Sequence, residues 1–146
     1  MLNIASRSLD IILGQFDSSQ IEKHSFTHIL EVSDVESTKL KDNQFDYVVD
    51  TFSMCVFDNP RAALSEMKRV VKPNGRIVLL ENSRSTFPPL GFIQDVFEPI
   101  VTPLAKNCRW NVDVPAIAAS LDLVQVQGSE QQLGTIFQGS FTKKDD

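Results

Sequence analysis

Glycine is scarce in this chain: six residues in 146, at Gly14, Gly75, Gly91, Gly128, Gly134 and Gly139. No two are separated by a single residue. A turn of the GxGxG kind, whose backbone meets a cofactor with no Cβ atoms in the way, is therefore absent from these residues. Cysteine is scarcer still, with Cys55 and Cys108 alone. Two thiols cannot make a disulfide framework, and neither stands in a CxxC or beside paired histidines. Both are expected as reduced thiols of an intracellular protein. No apolar run reaches the roughly 18–20 residues of a membrane span. Basic residues are the minority, 14 Lys and Arg against 19 Asp and Glu, and the formal charge of −5 speaks against a nucleic-acid surface. His24 and His28 lie four apart with no cysteine near them, so no metal site is expected.

What is present has globular proportions, 42% hydrophobic and 23% charged, at a length that suits one domain. Residues 1–16 place Leu2, Ala5, Leu9, Ile12, Leu13 and Phe16 on one helical face. A core-facing helix is the expectation. As a targeting presequence it is weak, because its one arginine is offset by Asp10. "FTHILEV" (26–32) and "FDYVVDTF" (45–52) suit strands, the second ending near Asp50. Asn59 and Pro60 form a helix start, and Ala63, Leu64, Met67, Val70 and Val71 form its apolar stripe.

"VVKPNGRIVLLE" (70–81) compresses a helix end, a turn and a strand. Pro73 stops the helix, Asn74-Gly75 offers positive-φ positions, and Ile77 to Leu80 run apolar without alternation into Glu81. Such a run predicts a strand buried on both faces of a parallel sheet. Residues 90–106 predict a helix interrupted at Pro99 and Pro103, and a short helix starts near Asp113 or Val114. Segments 123–128 and 134–142 alternate like an antiparallel pair. The order gives an α/β fold: a mainly parallel sheet with one antiparallel edge.

The stretch from Phe45 to Ser85, "FDYVVDTFSMCVFDNPRAALSEMKRVVKPNGRIVLLENSRS", closely resembles the second half of class I S-adenosylmethionine-dependent methyltransferases. The ubiquinone/menaquinone-biosynthesis type is the nearest in appearance. Asn74 stands where that family has the first glycine of its KPGG phrase, and Asn82 where histidine is common. The likeness thins upstream through "SDVE" (33–36) and downstream through "CRWNVDV" (108–114). It implies a partial Rossmann-like sheet, with strands 3, 4, 5, 6 and 7 of the family order 3-2-1-4-5-7-6 and a C-terminal antiparallel hairpin. Residues 1–146 would be a single partial domain.

The same resemblance implies that the family's first two strands, with the glycine-rich turn and the acidic ribose-binding residue, are missing. Without them strand 26–32 has no neighbour and strand 45–50 has an open edge. S-adenosylmethionine is then a cofactor only with a completing partner: a second protein chain supplying the missing strands, which makes this the C-terminal half of a split enzyme acting on a small or lipid-like acceptor. The alternative is a degenerate, noncatalytic subunit of a larger assembly. The location expected is intracellular, with mitochondrion as one option and cytoplasm as the other.

Site residues follow from the same motifs. Asp34 and Val35 match the position that meets the adenine amino group and ring nitrogen; Glu36 reads as a solvated charge. Asp50, Thr51 and Phe52 end the strand where the family's cofactor and substrate meet, and Asp50 would either orient an amino group or cap the next turn. Phe52 and Met54 read as pocket wall or core. Glu81 is a candidate to accept a substrate proton and Arg84 to hold an anionic group, against the plainer alternative of an ion pair or rim charges. Trp110 is a substrate-mouth candidate or a packing anchor. No catalytic residue is assigned, because methyl transfer from a sulfonium needs alignment and water exclusion more than a triad.

Overall fold

A computed structural model describes residues 32–144. The readings of a helix at 1–16, of a strand at 26–32 and of His24 and His28 lie outside the described residues. Among the described residues, four strands form one sheet: β1 (Phe45–Thr51), β2 (Val71–Asn82), β3 (Leu123–Gln131) and β4 (Ile136–Lys143), in the spatial order β1-β2-β4-β3. Three α-helices connect them: α1 (Pro60–Val70), α2 (Pro88–Leu104) and α3 (Val114–Ser120). The order matches the 4-5-7-6 portion of the family sheet. β1 and β2 are parallel, and β4 runs antiparallel to both β2 and β3. The antiparallel strand therefore lies inside the sheet, not at its edge as expected, and among the described strands only one pairing is parallel.

Local chemistry sets the boundaries. Asn59 accepts from Ala62 N at 3.1 Å, and Pro60 occupies the first turn of α1. Its missing N–H costs nothing there. Asp113 likewise caps α3 through Ala116 N at 3.0 Å. α1 ends at Val70, so Val71, expected to close the helical face, is instead the first residue of β2. Asn74-Gly75 does not make the positive-φ turn expected of it; neither residue adopts that region. The ladder steps from Phe45↔Val71 to Tyr47↔Arg76, so Lys72–Gly75 bulge from the strand, where Pro73 has no ladder bond to lose. Glycine is needed at position 75 for space: a Cβ would stand 2.8 Å from the Asp46 carbonyl and 2.7 Å from Val71.

The core lies on one side of the sheet, under α1 and α3. Leu64 and Met67 of α1, Ile77 and Leu79 of β2, Val114 and Ala118 of α3, and Phe137 and Phe141 of β4 are its centre. The expectation that β2 is buried on both faces fails. β2 alternates, with Ile77, Leu79 and Glu81 inside and Val78 and Leu80 half-covered. On β1, Val48 packs on the core while Tyr47 and Val49 are each 66% exposed. α2 is continuous through Pro99 and Pro103, contrary to the expected interruption. Each proline deprives the carbonyl four residues earlier of its helical donor. Phe92, Ile100 and Leu104 of α2 are largely exposed.

A polar clasp fixes the loop before β1. Glu66 of α1 accepts from Thr38 N at 2.9 Å and from Arg69 Nε and Nη2 at 2.8 and 2.6 Å; Arg69 also pairs with Asp42. The Arg69 guanidinium, with Thr38 adding to it, holds the Glu66 carboxyl down near 2 against an ordinary 4.5. Stability from this group is present above pH 4.5 and is lost as pH falls through about 2. Glu66→Ala is expected to lower unfolding free energy by about 2 kcal/mol in urea titrations at pH 7, with the difference shrinking toward pH 2. Gly75→Ala is expected to cost about 1–3 kcal/mol in the same measurement, since the new Cβ would press on the Asp46 carbonyl and the Val71 side chain.

Candidate active site at the ends of the parallel strands

Because β1 and β2 run parallel, their C-terminal ends open on the same side. Asp50 pairs with Leu79 and Thr51 with Leu80, and Phe52 N still donates to Leu80 O at 2.8 Å. The chain then turns sharply through Phe52, whose φ of 52° is left-handed. That region is costly for a bulky side chain and is held only where the surroundings enforce it. A short 3-10 turn, Met54–Val56, follows.

The turn aims two amides at one carboxyl. Ser53 N and Met54 N donate to Glu81 at 3.2 and 3.1 Å. Glu81 itself is 0% exposed. Burial raises its pKa from 4.5 to about 7, the Asp50 charge adds to this, and the two amides oppose it. Desolvation wins because two neutral donors replace only part of a carboxylate's hydration. The Asp50 carboxylate lies close enough to Glu81 for its charge to act on it. Ser53 Oγ donates to Asp50 Oδ1, and Asp50 Oδ2 is buried with no donor among the described residues. A proton on Glu81 is the hydrogen that suits that oxygen. Asp50 and Glu81, assigned from the sequence to cofactor and substrate separately, are thus one acidic pair.

On one side of the pair, a cavity of about 300 Å³ runs along β1, with Val35, Leu40, Val49, Asp50 and Met67 among its walls. At the end of β2 a second, of about 250 Å³, is walled by Asn82, Leu90, Gln94, Trp110 and Ile136. A larger hollow of about 340 Å³ between Val78, Gly128 and Gly139 has no titratable residue in its lining, so it is not the chemical site.

The other candidates fall as follows. Asp34 is exposed and accepts from Glu36 N at 2.9 Å in a tight turn, with Val35 half-buried against the core. Glu36 is not simply a solvated charge, since it accepts from Asn59 N at 2.6 Å. Thr51 is exposed at the strand end, and Met54 is core. Phe52 is not core but 48% exposed. Arg84 is held by Asp95 through Nε at 3.1 Å to each oxygen and Nη2 at 2.8 Å, the ion pair weighed above. Trp110 is anchored, its indole N–H donating to Gln94 O at 3.1 Å, yet it also walls the second cavity.

Gln94 is the residue that sequence reasoning missed. Almost wholly buried, it accepts from Ser85 N at 2.6 Å and donates to Ser83 O and Trp110 O at 3.2 and 2.7 Å. It joins the end of β2, α2 and the Trp110 loop. The signal was available: a lone amide inside the apolar run "LGFIQDVF".

The class I fold implies S-adenosylmethionine. These residues fit only part of it. The 34–37 turn and the end of β1 offer polar contacts. A Cβ-free cradle for the remainder is missing from this sequence.

A sequence model of the methyltransferase domain matches residues 4–79, more than half of the chain. The chain is similar to the mitochondrial methyltransferase OMS1 of Saccharomyces cerevisiae, 29% identical over 77% of this chain and 25% of that protein. It is 39% identical to the ubiquinone/menaquinone biosynthesis C-methyltransferase UbiE of Cupriavidus metallidurans, over 66% of this chain and 40% of that one. Demethylmenaquinone methyltransferase of Renibacterium salmoninarum is 34% identical over 68% and 41%. The chain thus spans less than half the length of these relatives. Among solved structures, a methyltransferase from Thermotoga maritima superposes with a TM-score of 0.56 at 22% identity, over 75% of this chain and 61% of that one. One from Methanosarcina mazei gives 0.56 at 13%, over 79% and 67%. Both likenesses speak to the fold. With the 4-5-7-6 strand order and the match over residues 4–79, the chain belongs to the methyltransferase-domain family and carries part of its class I, S-adenosylmethionine-dependent fold.

Proposed function

We propose that these residues form the acceptor side of a methyltransferase that modifies a small or lipid-like acceptor, and that Glu81, paired with Asp50, takes the proton the acceptor loses. The carrying observation is the buried acidic pair at the open ends of two adjacent parallel strands. The relatives named as quinone-biosynthesis methyltransferases support the acceptor class. The relative named as mitochondrial supports a mitochondrial location.

When bound, S-adenosylmethionine supplies an already activated methyl group, which leaves the protein to seat the acceptor, exclude water and manage one proton. A carboxyl titrating near 7 suits that last task, because it can hold or release a proton at working pH. Ser53 N and Met54 N position Glu81, and Asp50 Oδ2 receives its hydrogen. Trp110 and Arg84 shape the acceptor entrance, the tryptophan as wall and the arginine through its grip on Asp95. Asp34, Val35, Thr51 and Phe52 remain our assignment for the cofactor side. We assign the glycine-rich cradle to polypeptide outside these 146 residues, and hold that the cofactor binds only when that cradle is joined to them.

Three measurements test this reading. Calorimetry of the 146-residue chain with S-adenosylmethionine is expected to show no saturable heat at micromolar concentration, and saturable heat once polypeptide carrying a glycine-rich turn completes the sheet. Micromolar binding by the chain alone sinks the claim of incompleteness. A completed protein that still binds nothing favours the noncatalytic subunit of a larger assembly. In the active, completed enzyme, Glu81→Gln is expected to lower kcat by about 100-fold with KM little changed.

The third measurement is stability against pH. A carboxyl raised from 4.5 to about 7 on folding keeps its proton longer in the folded state. Its effect is neutral below pH 4.5, and stability is lost as pH rises to about 7. Wild type is expected to lose on the order of 3 kcal/mol across that window relative to Glu81→Gln.

A further inference from the structure

The two cysteines, 53 positions apart in the chain, meet in space: the Cys108 thiol donates to Cys55 Sγ across 2.8 Å. A disulfide needs about 2.05 Å, so less than about 1 Å of further approach separates the pair from a covalent bond. Several contacts keep their two segments in place. Arg109 N donates to the Cys55 carbonyl at 2.8 Å, and the Arg109 guanidinium reaches the carbonyls of Phe57 and Asp58. After α2, Lys106 and Asn107 both take left-handed φ, 54° and 63°, and turn the chain back toward Cys55. Two successive non-glycine residues in that region mark a loop shaped at some cost. Cys55 is buried, whereas Cys108 is only partly covered.

We infer that Cys55 and Cys108 are a redox modification site, at which hydrogen peroxide closes an intramolecular disulfide between the turn after β1 and the loop after α2. The Cys108 thiolate attacks one peroxide oxygen. The O–O bond breaks, hydroxide leaves, and Cys108 becomes a sulfenic acid. Cys55 then gives up its proton as its sulfur attacks the Cys108 sulfur; the S–O bond breaks and the oxygen departs as water. Two thiols and one peroxide become one disulfide and two waters, the cysteines losing two electrons and the peroxide gaining them.

The environment sets this order. The Cys55 thiol is pushed up to about 12, first by burial, then by Cys108 and by the Glu81 carboxyl, so it makes a poor first nucleophile. It is well placed as the resolving thiol. The consequence falls on the acidic pair, because Ser53 and Met54, which hold Glu81, lie within two residues of Cys55. Oxidation therefore ties down the turn that positions Glu81. This inference does not depend on the methyl-transfer reading.

Treating the reduced chain with hydrogen peroxide, then alkylating it and weighing it intact, tests the idea. The expected product is lighter by two hydrogens, takes up no alkyl group, and yields a Cys55–Cys108 cross-linked peptide. Its Tm is expected to rise, since the closed loop restricts the unfolded chain, and to fall back with dithiothreitol. In C55S, dimedone is expected to capture a sulfenic acid on Cys108; in C108S, the Cys55 thiol is expected to react only after unfolding. A wild-type chain that keeps both thiols, adds oxygen to Cys108 without a cross-link, or joins two chains instead overturns the inference.

Discussion

The parallel register of β1 beside β2 is the constraint on which the site depends. Asp50 lies opposite Leu79, so the two strands finish together and Glu81 emerges beside the Asp50 carboxyl. Side chains alternate along a strand, so a slip of one residue in β2 would move Ile77, Leu79 and Glu81 to the opposite face together. Burying Ile77 and Leu79 under α1 and α3 is therefore also what buries Glu81. The hydrophobic core and the chemistry are set by one alternation.

Burying a carboxyl is unfavourable unless it is hydrogen-bonded or keeps its proton. Glu81 does some of both. The turn after β1 provides two amides, at the expense of a left-handed Phe52, and the remaining cost appears as a raised pKa. Perturbed carboxyls in a polar recess are frequent marks of function, although structural pairs show them too. Here the unsatisfied Asp50 Oδ2 adds a reason to regard the recess as built for a ligand or a proton.

Tyr47 and Val49 on β1, and Phe92, Ile100 and Leu104 on α2, expose much apolar area. Exposed apolar patches and strand edges are places where further polypeptide adds favourably. The relatives are more than twice as long as the region of them that this chain matches.

Much of this was legible in the residues themselves. Asn59-Pro60 and Asp113 announced helix starts because capping is a local interaction between near neighbours. The 123–142 hairpin was legible in its two-residue alternation, and the methyltransferase likeness in the phrase from Phe45 to Ser85. Other features depended on packing at a distance. Asn74-Gly75 has turn chemistry, yet its glycine answers to the Asp46 carbonyl on another strand. Pro99 and Pro103 carry a local stop signal that α2 overrides. Cys55 and Cys108 looked unrelated because sequence spacing says nothing about two loops that converge after 53 residues. By itself the sequence determined the types of most described elements, the family and the lack of a GxGxG spacing, all of which are local or pattern properties. Only the tertiary structure decided that Asp50 and Glu81 form a pair, that Arg84 belongs to Asp95 and that Gln94 ties the rim, because each depends on which distant backbone lies alongside.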